Sequence, residues 1–105
     1  MSARTARMQQ IEAMLAEEPH DAELRYFLAM EYLSAGDEAT GTQKLRELTS
    51  DSTYVPAFLQ AGQVLSRQGQ APEACAILRR GLECAQKQGN THAFGEMQAL
   101  LDSLE

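Results

Sequence analysis

The chain has 105 residues, 44% of them hydrophobic and 23% charged, which fits one soluble globular domain spanning 1–105. Fifteen acidic residues against nine basic ones give a formal charge of −6, the wrong sign for neutralising phosphates, so nucleic acid and anionic membrane surfaces are excluded as expected partners. Only three prolines and seven glycines punctuate a composition rich in Ala, Leu, Glu and Gln, which favours helix.

Residues 3–17 come first. Met8, Ile11 and Leu15 recur at helical spacing and make one apolar stripe, which ends before Pro19. The longest apolar run here is 13–16, far short of a signal-peptide core or of the roughly 20 residues of a spanning helix. The expectation is a cytoplasmic protein.

A second helix is predicted from about Asp21, a plausible cap, to about Ala35. Gly36-Asp37 makes the turn: glycine accepts the left-handed helix end and aspartate can cap the next helix, which runs to about Ser50. A fourth helix follows Asp51-Ser52-Thr53 and turns at Gly69-Gln70. The fifth has Pro72 in its first turn, where a missing N–H costs nothing, and runs to about Gln88 before Gly89 stops it. Asn90 or Thr91 can cap a last helix, with Phe94, Met97, Leu101 and Leu104 at helical spacing.

Laying the chain over itself at a shift of 33 exposes a repeat. Leu28-Ala29 meets Ala61-Gly62, Tyr32 meets Leu65, and Gly36 meets Gly69. Gly41 meets Ala74, Leu45 meets Leu78, and Leu48 meets Gly81. Two stretches, 22–54 and 55–88, thus share an order of small and large residues. A glycine inside a helix costs about 1 kcal/mol against alanine, so Gly41 and Gly62 mark places where a neighbouring helix comes close.

This pattern resembles the tetratricopeptide repeat family, with a small residue in each helix, a Tyr or Leu one turn on, and a glycine at the turn. The second stretch carries it in Phe58, Ala61-Gly62, Leu65, Gly69, Ala74, Leu78 and Gly81; the first in Leu28-Ala29, Tyr32, Gly36-Asp37 and Leu45. The first departs from the pattern in having Arg25 where a large aromatic is usual, and both lack the proline that commonly closes the second helix. Residues 3–17 look like the second helix of a truncated preceding repeat, with Pro19 standing where the family proline stands. Residues 91–104 look like the capping helix that ends such stacks. The resemblance implies an all-α fold of two repeats plus flanking helices, six antiparallel helices in a right-handed alpha-alpha superhelix. It also implies a protein-binding function without cofactor.

Catalytic or metal chemistry finds no constellation. His20 and His92 are far apart, each near a predicted helix start, where a surface or capping role fits. Cys75 and Cys84 lie on one helix, about half a turn apart in direction and roughly 13 Å apart in rise, so they cannot join while that helix exists. Neither pair has zinc-ligand spacing, and no glycine-rich phosphate loop is present. The chain is not expected to be an enzyme.

The helix over 21–35 stands out because it is apolar nearly all round. Leu24, Leu28, Ala29 and Tyr32 form its core stripe, yet Tyr26, Phe27, Met30 and Leu33 lie on other sides. Such a helix must be covered on every face. In the family, the first helix of each repeat lines a concave groove that receives ligands. The resemblance therefore places Glu23, Tyr26, Phe27, Met30 and Leu33 in that groove, continued by Leu59, Gln60, Gln63 and Arg67. The lysines and asparagines with which some members grip a terminal carboxylate are absent from it. Two readings stay open: an apolar shelf for a peptide or helix of another protein, or the same surface buried, under residues 3–17 or in a self-associating structural subunit such as a homodimer.

Overall fold

The computed structural model describes residues 4–105. These form six α-helices: α1 (Ala6–Glu17), α2 (Ala22–Ser34), α3 (Glu38–Asp51), α4 (Val55–Arg67), α5 (Ala71–Lys87) and α6 (Thr91–Leu104), with no strand among the described residues. The all-α helical repeat expected from the sequence is what is found. The predicted start at residue 3 lies outside the described residues; α1 begins at Ala6, because Thr5 is its cap and accepts the Met8 N–H at 3.0 Å.

The turns explain the period. After α2, α4 and α5 the chain closes in the same two-bond pattern. Asp37, Gln70 and Asn90 donate N–H to the carbonyls of Tyr32, Leu65 and Ala85, each at 2.9 Å, while Gly36, Gly69 and Gly89 donate to Leu33, Ser66 and Gln86. This is a Schellman closure, which requires a left-handed residue at its centre. The three glycines supply it, with φ of 88°, 76° and 69°. The following residue is in each case the cap of the next helix, and two of the three cap with the side chain: Asp37 accepts from Thr40 N–H and Asn90 from Ala93 N–H. The α3–α4 junction is different. Ser52 is extended, Tyr54 offers no side-chain cap, and Pro56 in the first turn of α4 supplies the start instead.

The chain forms two compact units, residues 4–52 and Thr53–Glu105. In the first, α2 packs against α1 on one side and α3 on the other. Met8, Ile11 and Leu28 form a buried cluster, with Leu15, Leu24 and Tyr32 packed around it. Across the other seam, a Cβ at Gly41 would stand 2.7 Å from Leu33 Cγ and 3.1 Å from the Ala29 carbonyl oxygen. Only a glycine lets α3 come that close. Lys44 lies over the Tyr32 ring, its Nζ 5.5 Å from the centroid, and Arg25 forks onto Asp51.

In the second unit α4, α5 and α6 pack pairwise. Gly62 opens the α4–α5 seam to Leu78, and Gly81 of α5 receives both Phe58 and Met97. Phe58, Leu65, Leu78 and Met97 are fully buried there. The thiols of Cys75, buried, and Cys84, half-buried, are free.

Candidate apolar docking cleft

The apolar surplus of α2 decides where a site can be. Leu28 and Ala29 are buried and Leu24 and Tyr32 pack on the α1 cluster, as the core stripe requires. That leaves Tyr26, Phe27, Met30 and Leu33, which go to three different places. Leu33 turns into the hairpin with α3 and fills the space that Gly41 leaves. Tyr26 is half-buried, its ring tilted 54° against Phe27 at a centroid distance of 6.1 Å. Phe27 and Met30 line a cleft of about 360 Å³ between α1 and α2, whose walls are Arg7, Gln10, Ile11 and Met14 from α1 and Leu24, Phe27, Met30 and Glu31 from α2.

Two of these side chains are exposed although large and apolar: Met14 at 51% and Phe27 at 43%. Helix geometry puts them together. Met14 follows Ile11 by three residues and Phe27 follows Leu24 by three, so each sits one turn along from a residue already in the seam. On the same cleft Met30 is half-buried while Phe27 stays exposed. One mouth of the cleft is bridged by an ion pair, Arg7 Nε to Glu31 Oε1 at 2.9 Å. At the other mouth stand Glu17 and Glu18, one turn beyond Met14, and Glu23, one turn before Phe27; all three are exposed.

The remaining predicted groove residues belong to α4 in the second unit: Leu59, Gln60 and Gln63 are half-buried and Arg67 is exposed. Sequence reasoning missed Met14. The stripe Met8, Ile11, Leu15 drew attention to the buried face, whereas Met14 lies at its edge, an i+3 neighbour of Ile11 and therefore on the rim.

The described residues contain no group of three or more His, Cys, Asp and Glu placed to hold a metal, and no helix long and apolar enough to cross a membrane. His92 pairs with Glu96 one turn on at the start of α6, and His20 is exposed. A smaller cleft of about 240 Å³ lies at the α5–α6 turn, among Ala85, Gln86, Gly89, Asn90, Thr91 and Phe94, with no charged side chain in it. Another, of about 180 Å³, lies beneath Arg25, Lys44 and Glu47.

The fold these helices build is that of a helical repeat module. No protein-family model matches the chain, and no curated protein matches it either. Among solved structures it is similar to a tetratricopeptide repeat domain protein from Salinibacter ruber, determined in solution, with 26% identity over 83% of this chain and 89% of that one, at a TM-score of 0.76. A crystal structure of a tetratricopeptide repeat domain protein from the same organism aligns at 24% identity and a TM-score of 0.75, covering 81% of this chain and 96% of the other. A protein from Bordetella parapertussis, solved in solution, is 30% identical over 95% of this chain and 88% of its own, with a TM-score of 0.74. This chain is a small protein of the tetratricopeptide repeat type.

Proposed function

We propose that the chain is a non-enzymatic, cytoplasmic binding module that holds a segment of another protein on the apolar shelf of α2. The observation that carries this is the joint exposure of Met14 and Phe27 in one cleft. Two large apolar side chains left open side by side cost solubility, and such patches on soluble proteins mark interaction sites. Methionine and aromatic side chains also suit a docking surface, since the first adapts its shape and the second supplies area at little entropic cost. The helical repeat neighbours agree with this reading.

Met14, Phe27 and Met30 carry the contact in this account. Tyr26 supports the Phe27 ring, and Leu59, Gln60, Gln63 and Arg67 are proposed as partner-facing residues of the second unit. Glu23 stands at the rim.

The test is paired. Phe27→Ala/Met30→Ala protein and the parent are used to capture proteins from extract of the source cells, and both are melted. Lost capture with near-parental melting supports the module. Unchanged capture removes the site from this cleft. A chain of doubled mass in solution, reverting to monomer in the double variant, would make the surface a self-association interface instead.

A further inference from the structure

We infer that the occupant of the α1–α2 cleft is a basic amphipathic helix. This rests on the binding-module reading and adds the chemistry of the partner. Charge is the first argument. Ten acidic residues face five basic ones in residues 1–52, but five face four in residues 53–105, so the first unit carries five of the six net negative charges. The basic side chains of this unit have partners. Arg4 pairs with Glu12, Arg7 with Glu31, Arg25 with Asp51, and Lys44 lies over Tyr32; Arg46 too has a partner. Glu17, Glu18 and Glu23 hold no ion pair among the described residues. They stand one helical turn from Met14 and Phe27, at the mouth of the cleft opposite the Arg7–Glu31 bridge. The surface therefore offers an apolar floor, one neutralised end and one acidic end.

The backbone chemistry of the occupant follows from the walls. Both walls are helices, with no free strand edge. The lining supplies one uncharged polar side chain, Gln10, besides the paired Arg7 and Glu31. An extended segment would bury peptide groups there without partners, whereas a helix satisfies its own. From Arg7 to Met14 the floor is about two helical turns long, a match for apolar residues at i, i+4 and i+7 of a third helix. Lysine or arginine at one end of that helix would meet Glu17, Glu18 and Glu23. A second copy of the chain is disfavoured because it would bring the same acidic rim against this one.

Fluorescence anisotropy of the full chain tests this with three synthetic probes. The first is a labelled helix with leucines at i, i+4 and i+7 and lysines at its polar positions. The second carries glutamates for the lysines, and the third carries a central proline that breaks the helix. The lysine helix should bind at least about tenfold more tightly than the glutamate twin, the combined effect of a few exposed ion pairs. Added salt should shrink the difference. Glu17→Lys/Glu18→Lys/Glu23→Lys protein, with its helicity checked by circular dichroism, should reverse the order of the twins. Met14→Ala/Phe27→Ala protein should lose both.

Equal binding of the twins to parent and triple variant would overturn the basic partner; continued dependence on Met14 and Phe27 would then leave the docking cleft standing. Equal binding of the proline probe would overturn the helix. Binding indifferent to Met14 and Phe27 would overturn both readings. A stable dimer that excludes every probe would install a second copy as the occupant and overturn the proposal.

Discussion

Arg25 of α2 holds Asp51 of α3 through two parallel hydrogen bonds, Nη1 to Oδ1 at 2.8 Å and Nη2 to Oδ2 at 3.0 Å. The pair ties the first turn of one helix to the last turn of the next, closing the hairpin at its open end. It also accounts for a departure from the repeat pattern. Where the family usually places a large aromatic, this chain has an arginine, and the carboxylate that answers it lies 26 residues on.

The hydrogen bond from Arg25 holds the Asp51 carboxyl below its ordinary value, with the guanidinium charge and His20 adding to the effect and partial desolvation opposing it. A carboxyl lowered in the folded state stabilises the fold above its unfolded pKa, and that contribution is lost as pH falls through the folded pKa. Asp51→Asn should therefore destabilise the protein at neutral pH. Asp51 is more than half exposed, so the loss should stay below about 1 kcal/mol. The difference between parent and variant should vanish in acid. Urea titrations at the two pH values check it.

Gly62→Leu should destabilise far more. A Cβ at this position would stand 2.5 Å from Leu78 Cδ2 and 2.7 Å from Leu78 Cγ, so a full leucine must push α4 and α5 apart at a cost of about 1–3 kcal/mol or more. Gly95 is the control. Nothing lies within 4 Å of a Cβ there, and Gly95→Ala should stabilise α6 by up to about 1 kcal/mol. Thermal melts of the two variants should move in opposite directions.

Helix α6 should behave as a structural lid on the second unit. Met97 is fully buried and its sulfur would lie 2.6 Å from a Gly81 Cβ, beside Phe58. Deleting residues 91–105 should uncover Phe58 and the α5 face around Gly81, lowering the melting temperature and promoting aggregation. Met97→Ala should reproduce part of this, at about 2–5 kcal/mol. A deletion protein as soluble and stable as the parent would contradict the capping role.

The helices were legible because their signals are local. Asp21, Asp37 and Asn90 cap, the three turn glycines close, and Gly41 and Gly62 announce close seams, all from residue type and spacing. The start of α4 was harder to read, since Tyr54 offers no side-chain cap and the signal is Pro56 one residue inside. The site was less legible than the fold. One helix, α2, carries four surplus apolar side chains, but which of them stays open depends on how far its neighbours reach. Gly41 draws Leu33 into the α3 seam, and Met30 is half-buried while Phe27 stays exposed. Periodicity on α2 alone cannot separate these cases. Met14 escaped notice for the same reason, lying at the edge of its own stripe.

Site-specific photo-crosslinking shows whether a partner protein lies against Met14 and Phe27. A photoreactive amino acid is placed at Met14, already half exposed, and in a control at Ala99, exposed on α6. Illumination in the source cells should join the Met14-substituted chain to another protein, and Phe27→Ala in the same chain should abolish that adduct. The Ala99 position should give none of it. An adduct formed only from Ala99 would move the partner away from this cleft, and one from Met14 with the mass of two copies of the chain would make the cleft a self-association surface.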